Sequence, residues 1–298
     1  MANVHYTHCP VCGSDHLSTV FSAKDYTVSG QNFEIMECGY CRVRFTQDAP
    51  PLEEIGAFYK SEDYISHTNS SKGVVNHLYQ KVRSYTITQK ADIIRKYTGL
   101  EEGSLLDVGC GVGTFLHYMK TKGWLTTGLE PDADARQLAA SLYGLTTEPS
   151  HVLFSLPSDH FDAITLWHVL EHVHDLHGYL NQLKNLLKPA GKLFLAVPNY
   201  TSRDAMVYGK YWAAYDVPRH LYHFSPLSME ILLQQHGFQM EKQLPMWFDS
   251  FYVSLLSSKY KTGSTRFLSG ALHGLASNLR ALGNTGACSS VIYIAGQK

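Results

Sequence analysis

The chain has 298 residues, 44% of them hydrophobic, with 25 Lys+Arg against 26 Asp+Glu. At this length folding can bury roughly 75% of the unfolded surface, so no staple is needed to hold one large domain together. Charge near zero excludes a nucleic-acid-binding face spread over the whole surface, and no run reaches the ~18 consecutive apolar residues of a membrane span. The start, MANVHYTHCP, lacks the basic and apolar segments of a secretory leader, so a cytoplasmic protein is expected.

Four of the six cysteines form two CxxC pairs, Cys9-Pro-Val-Cys12 and Cys38-Gly-Tyr-Cys41, while Cys110 and Cys288 stand alone. In a reducing compartment, paired CxxC reads as metal binding rather than as a disulfide framework. Two pairs at this separation fit a tetrahedral four-cysteine zinc ribbon over residues 1–50, and four thiolates leave no position open to water, so the zinc is expected to be structural. The Ala49-Pro50-Pro51 breaker ends this unit. Residues 51–100 read as a helical lid or linker, with LEEIGAFY as a short amphipathic run, a longer helix over 74–97, and the polar loop SEDYISHTNSSKG between them.

From 101 to 298 short apolar strands alternate with helices, the mark of a parallel sheet made of βαβ units. SLLDVG and LTTGLE are the first two strands, with a helix over 114–123 between them. Pro131 is expected just inside the next helix and Gly144 at its end. The strand FDAITLW should run into one long amphipathic helix, LEHVHDLHGYLNQLKNLLKPAG, followed by the strands GKLFLAVPN, FQMEKQLPM and CSSVIYIAGQK. A helical insertion at about 248–283 separates the last two. Its apolar periodicity suits a packing arm or a homodimer contact. Its basic residues would also suit peripheral contact with an anionic membrane surface.

Between the first strand and its helix lies Asp107-Val-Gly109-Cys110-Gly111-Val-Gly113. Glycines there let the backbone approach a ligand near a helix N-terminus. Asp107 before the glycines can pair with an ammonium group, and Glu130 at the end of the next strand can accept both hydroxyls of a ribose. An acid beside the loop favours a zwitterionic, sulfonium-bearing nucleoside over a dianionic one.

LLDVGCGVGTF, GLEPD, FDAITLWHVLEHV and LLKPAGKLFLAVPN, in that order, resemble the class I S-adenosylmethionine-dependent methyltransferases over about residues 100–245. The resemblance implies an α/β fold with a Rossmann-like seven-stranded sheet whose last strand is antiparallel. It also implies S-adenosylmethionine as cofactor, with Glu130 on the ribose and the glycine loop on the methionine moiety. The cofactor-lining set is then Asp107, Gly109, Cys110, Gly111, Gly113, Phe115, Glu130, Pro131, Trp167 and His168, and Glu148, Ser150 and Asp159 compete for the adenine. The charges of the ribbon segment disfavour an RNA-binding role, so a ribbon that packs on the catalytic domain or shapes its acceptor pocket is expected.

On the acceptor side, His168-Val-Leu-Glu171-His172 spells the H-x-x-E-H of inverted zinc proteases, a decoy within an otherwise complete methyltransferase core. The methyltransferases of ubiquinone biosynthesis have a similar LEHV segment, whose acids and His sit near a divalent ion; here His168 replaces the first acid. The segment Tyr215-Asp216-Val-Pro218-Arg219-His220-Leu-Tyr222-His223-Phe-Ser follows a strand end and should lie over the methyl group. His220 is the candidate base, since an imidazole can take a hydroxyl proton at neutral pH. His168, Arg219, His172, Tyr64 and His67 complete the candidate catalytic set. The expected activity is methyl transfer to a small-molecule acceptor, first at a hydroxyl oxygen, then at nitrogen or carbon, and nucleic acid is not an expected partner. The alternatives are an RNA or protein methyltransferase docking through the ribbon, and a non-catalytic cofactor-binding protein.

Overall fold

The computed structural model describes residues 3–59, 74–264 and 267–298. Two sheets organise the chain. The first begins with β1 (Leu17–Lys24), β2 (Asn32–Cys38) and β3 (Arg44–Thr46), an antiparallel meander. After α1 (Leu52–Ile55), a 3-10 turn over Gly56–Tyr59 and the helix α2 (Val74–Thr98), the chain enters the second sheet. There β4 (Ser104–Val108), α3 (Thr114–Thr121), β5 (Leu125–Leu129), α4 (Ala133–Tyr143), β6 (Phe161–Trp167), α5 (Leu176–Leu186) and β7 (Leu187–Pro198) follow in order. The remainder is α6 (Arg203–Tyr208), β8 (Tyr222–His223), α7 (Pro226–Gln235), β9 (Phe238–Pro245), α8 (Asp249–Thr262), α9 (Phe267–Gly283) and β10 (Ser290–Gln297).

The large sheet has the order β5-β4-β6-β7-β10-β9, parallel from β5 to β7, with β10 antiparallel to both of its neighbours. Helices cover both faces, which is why β4 is buried along its whole length. Leu106, Ile164, Leu166 and Leu195 face α5 leucines on one side, while Leu105, Ala163, Phe194 and Ile294 meet Ile94 of α2 and Met119 of α3 on the other. The antiparallel last strand is as the sequence implied. The seven-strand count is not, because the outermost position is reduced to a single parallel bridge between Leu129 and Glu148. Pro149 follows at once, has no N–H to donate, and turns the chain into a 3-10 segment over Ser150–Ser155.

Two local expectations are corrected. No long helix starts at Leu170: a 3-10 turn over Leu170–His172 is followed by a break, and α5 begins at Leu176. The Asp175 carboxylate decides this by accepting from the Gly178 N–H at 2.9 Å, a cap that sets the helix start. Pro131 likewise precedes α4, whose cap is Asp132, accepting from Ala135 N–H at 2.8 Å.

The first sheet gains a fourth strand from far along the chain: β3 pairs with β8, Arg44 opposite His223 and Phe45 opposite Tyr222. The Thr46 N–H donates to Leu221 O at 2.9 Å and its hydroxyl to His220 O at 2.6 Å. Beside this seam Arg219, 1% exposed, is gripped by Asp216 through Nε (2.9 Å) and Nη2 (2.6 Å). It also reaches Asp25 of the N-terminal unit (3.3 Å) and Phe58 O (2.8 Å). Removing one partner of a buried, hydrogen-bonded ion cluster leaves uncompensated charge. Arg219→Ala is therefore expected to lower unfolding free energy by about 3–5 kcal/mol in urea titrations, with Arg219→Lys recovering only part of it.

Candidate cofactor and acceptor site

The turn after β4 is shaped by what its glycines exclude. Gly109 has φ +72°, and a Cβ there would lie 2.4 Å from a Val169 methyl, so only glycine lets the turn tuck under the end of β6. A Cβ on Gly111, at φ +55°, would meet nothing within 4 Å, so that side of the turn faces open space, as a ligand cradle requires.

Two buried acids flank this turn. Asp107 accepts from the Thr165 hydroxyl at 2.6 Å, and burial, opposed by Thr165 and by Lys90, pushes its carboxyl up to about 7. Glu130 accepts from Gly111 N–H at 2.8 Å and Asp132 N–H at 3.0 Å, one to each oxygen. A carboxylate has about four lone-pair sites, so both oxygens can still accept from a diol. Burial raises the Glu130 carboxyl against these two bonds. Phe115 and Trp167 meet edge to face at 5.9 Å, and the Lys90 ammonium stands 4.2 Å over the Trp167 ring, beside Asp107.

At the far end of β6 the chain makes a tight turn with His168 at φ +58°. Its Nε2 lies 2.8 Å from Asp249 Oδ2 and its Nδ1 3.3 Å from Glu171 Oε1. Burial works against its charge, but the two carboxylates win and raise the imidazole to about 10. His168 is thus an imidazolium at neutral pH with both nitrogens engaged. His172 is the opposite case: burial and the neighbouring His220 lower it to about 4, so it is neutral. Its Nδ1 lies 3.0 Å from Arg219 O and 2.9 Å from the Tyr59 hydroxyl. His220 places Nδ1 2.8 Å from Ala214 O, and the rings of His172 and His220 stand 4.6 Å apart.

Residues 79–243 match the family described as Methyltransferase domain. The chain belongs to that family. Among curated proteins it resembles the ubiquinone biosynthesis O-methyltransferase of Glaesserella parasuis, 35% identical over 125 residues, 38% of this chain and 52% of that one. The corresponding protein of Xanthomonas oryzae pv. oryzae is 28% identical over 174 residues, 54% of this chain and 72% of that one. The chain spans about half the length of the first of these relatives. Among solved structures it resembles the 1,6-didemethyltoxoflavin-N1-methyltransferase of Burkholderia thailandensis, with a TM-score of 0.49 and 15% identity, covering 93% of this chain and all of that one.

The turn, Asp107 and Glu130 therefore belong to a methyltransferase domain whose cofactor is S-adenosylmethionine. Cys110 and Gly113 complete the turn, and Pro131 follows Glu130 at its rim. Of the three candidates for the adenine, Glu148 and Ser150 lie beside the end of β5, whereas Asp159 donates its N–H to Asn185 O at the opposite end of β6. Arg219 is turned toward the carboxylates of Asp25 and Asp216. Tyr64 and His67 lie outside the described residues. The H-x-x-E-H segment is a 3-10 turn and not a helix face, which removes the geometry of a helical metalloprotease motif. Lys90, Tyr59 and Asp249 join the site from α2, the turn after α1 and the first turn of α8; no motif in the sequence marks them.

The N-terminal cysteines come together as their spacing implied. One ligand atom from each of Cys9, Cys12, Cys38 and Cys41 lies within 4.8 Å of the others, with Cys9 Sγ 3.5 Å from Cys41 Sγ and Cys12 Sγ 3.5 Å from Cys38 Sγ. The Val11 N–H donates to Cys9 Sγ at 3.4 Å, a bond that favours thiolate, and the Cys41 thiol beside it lowers Cys9 to about 5. This donor set fits tetrahedral zinc closed to water.

Two outcomes follow. Stripping zinc with a chelator should unfold the knuckles of residues 9–13 and 38–42 and lower the melting temperature, read by calorimetry with and without zinc restored. Cofactor affinity should rise with pH up to about 7 and then level. An ammonium group pairs with the ionised Asp107 carboxylate, so binding must expel a proton at lower pH. Titration calorimetry between pH 5.5 and 7.5 checks this, and Asp107→Asn should bind weakly with a flat profile.

Proposed function

We propose that this protein transfers the methyl group of S-adenosylmethionine to a hydroxyl oxygen of a small molecule. The observation that carries the reading is the cluster of polar side chains beyond Trp167. Glu171, His172 and His220 bring donor atoms within 4.8 Å of one another there, next to the strand end that closes the cofactor turn. The curated relatives named as O-methyltransferases support the choice of oxygen. In-line displacement at a sulfonium methyl needs alignment more than covalent help, and a hydroxyl nucleophile must also lose its proton.

A backbone carbonyl can only accept, so Ala214 O fixes the proton of His220 on Nδ1 and leaves the lone pair on Nε2. Arg219 O does the same for His172. The trio is where the acceptor proton is taken, with His220 the member singled out by the sequence. His168, held as a cation between Asp249 and Glu171, positions Glu171 and cannot itself accept a proton.

His220→Ala should slow methyl transfer by about 100-fold or more while leaving S-adenosylmethionine affinity within about twofold. Labelled cofactor and a small-molecule extract supply the transfer assay, and calorimetry supplies the affinity. Equal losses in both would mean that His220 only holds the fold. A labelled product that proves to be an amine or a carbon-methylated compound would overturn the choice of oxygen.

A further inference from the structure

We infer that the outer face of α8 and α9 docks on an anionic membrane surface, lying along it rather than crossing it. The first observation is that this helix pair is packed inside out. In water a helix turns its leucines to the core and its serines to solvent. On α9, however, Leu268, Leu272, Leu275, Leu279 and Leu282 are 48–77% exposed, whereas Gly270, Gly274, Ser277 and Ala281 are buried. On α8 the buried residues are Ser250, Ser254, Ser257 and Ser258, with Val253 the one apolar residue among them.

The contact between the two helices is correspondingly close. A Cβ on Gly270 would lie 3.0 Å from Leu255 Cα, and one on Gly274 would lie 3.0 Å from Phe251 Cα. Small residues that let backbones approach are how helices associate where the surrounding medium is itself apolar. The leucines, three and four residues apart, form one stripe along α9, and a contiguous apolar face on the surface marks a docking site. No described helix is long and apolar enough to cross a membrane. A stripe on one helix of 17 residues would instead lie in the plane of the headgroups.

Charge decides what covers the stripe. From 250 to 298 the sequence has no Asp or Glu, against Lys259, Lys261, Arg266, Arg280 and Lys298. A rim of tyrosines and lysines continues from the end of α8 onto the N-terminal sheet. Tyr26 stacks on Tyr260 at 4.3 Å and approaches Tyr211 at 6.5 Å. Lys24 stands 5.7 Å over the Tyr26 ring, Lys210 5.5 Å over Tyr211 and Lys261 5.9 Å over Tyr208. Tyr208 in turn meets His273 of α9 at 5.6 Å. Amphipathic rings and long basic side chains suit the headgroup layer, and anionic lipids attract the lysines.

The acids behind this rim already have partners inside the fold. Asp25 and Asp216 hold Arg219, and Asp249 holds His168. Asp204 accepts from Trp212 Nε1 at 2.8 Å and from the Ser277 hydroxyl at 2.7 Å. A second copy of the chain on this face would therefore bring basic residues against basic residues, whereas an anionic bilayer supplies the opposite sign. The docking does not depend on which atom accepts the methyl group.

Vesicle sedimentation tests the docking without any methyl transfer. Wild type should sediment with phosphatidylcholine vesicles that contain phosphatidylglycerol, and about tenfold less with phosphatidylcholine alone or in high salt. Leu272→Ser combined with Leu279→Ser should cut binding by about tenfold or more, as should Lys24→Glu combined with Lys210→Glu. Leu125→Ser, at a leucine of β5 that is 77% exposed, should bind as wild type does. An unchanged melting temperature identifies the variants that fold. Wild type that stays in the supernatant with anionic vesicles overturns the inference, and that result decides the matter by itself if a variant fails to fold. Equal binding to uncharged vesicles overturns it too, as do folded leucine or lysine variants that bind like wild type. A dimer in analytical ultracentrifugation that the leucine pair of substitutions breaks, with no vesicle binding by wild type, would assign the stripe to a second copy instead.

Discussion

A guanidinium taken out of water must find carboxylates, and Arg219 finds them in two places that are far apart in the chain. Asp216 is local; Asp25 belongs to the N-terminal unit, and Phe58 O to the turn that ends beside the pocket. Satisfying one buried charge therefore fixes three segments against each other. The backbone of the same loop supplies carbonyls that orient His172 and His220, so the ion cluster sets the geometry of the proposed acceptor end. The β3–β8 pairing reinforces the same seam with backbone hydrogen bonds.

The two halves of the proposed site are built on different principles. The cofactor end is local: one strand, one glycine turn and the acid at the end of the neighbouring strand, all within a single βαβ unit. The acceptor end is assembled from four remote pieces, namely the turn after β6, the 216–223 loop, the turn after α1 and the first turn of α8. Its charges alternate, Asp249 to His168 to Glu171, so that each buried ion faces an opposite one except at Glu171 Oε2.

That division explains what could be read from the residues alone. The glycine turn, Asp107, Glu130, the paired cysteines and the antiparallel last strand were legible because each is a short pattern with its own physical requirement. The pattern from Leu170 reads as helix because LEHV continues an apolar period that is compatible with helix. The competing Asp175 cap, which starts the helix further along at Leu176, outweighs that period. A two-residue strand such as β8 has too few residues to show alternation, so the sheet that crosses from Arg44 to His223 left no trace in the pattern. Lys90 and Asp249 sit on helices whose periodicity only says which side packs. Asp159 is suggested by residue type alone, and the topology sets it at the other end of β6 from Glu148 and Ser150.

The crossing of β3 onto β8 also sets an order of events during synthesis. The N-terminal sheet emerges first, yet its last strand lies beyond the roughly 180 residues from Thr46 to His223, so at a ribosomal pace of about 5–20 residues per second it waits roughly 10–35 s for closure. Through that interval the β3 edge is an open template with unpaired N–H and C=O groups. Early loading of the cysteine knuckles would hold Cys38 and Cys41, and with them the turn between β2 and the open edge, in register until the partner arrives. Contacts of such long range slow the folding of a chain, so the time for which that edge stands open is set by the topology itself.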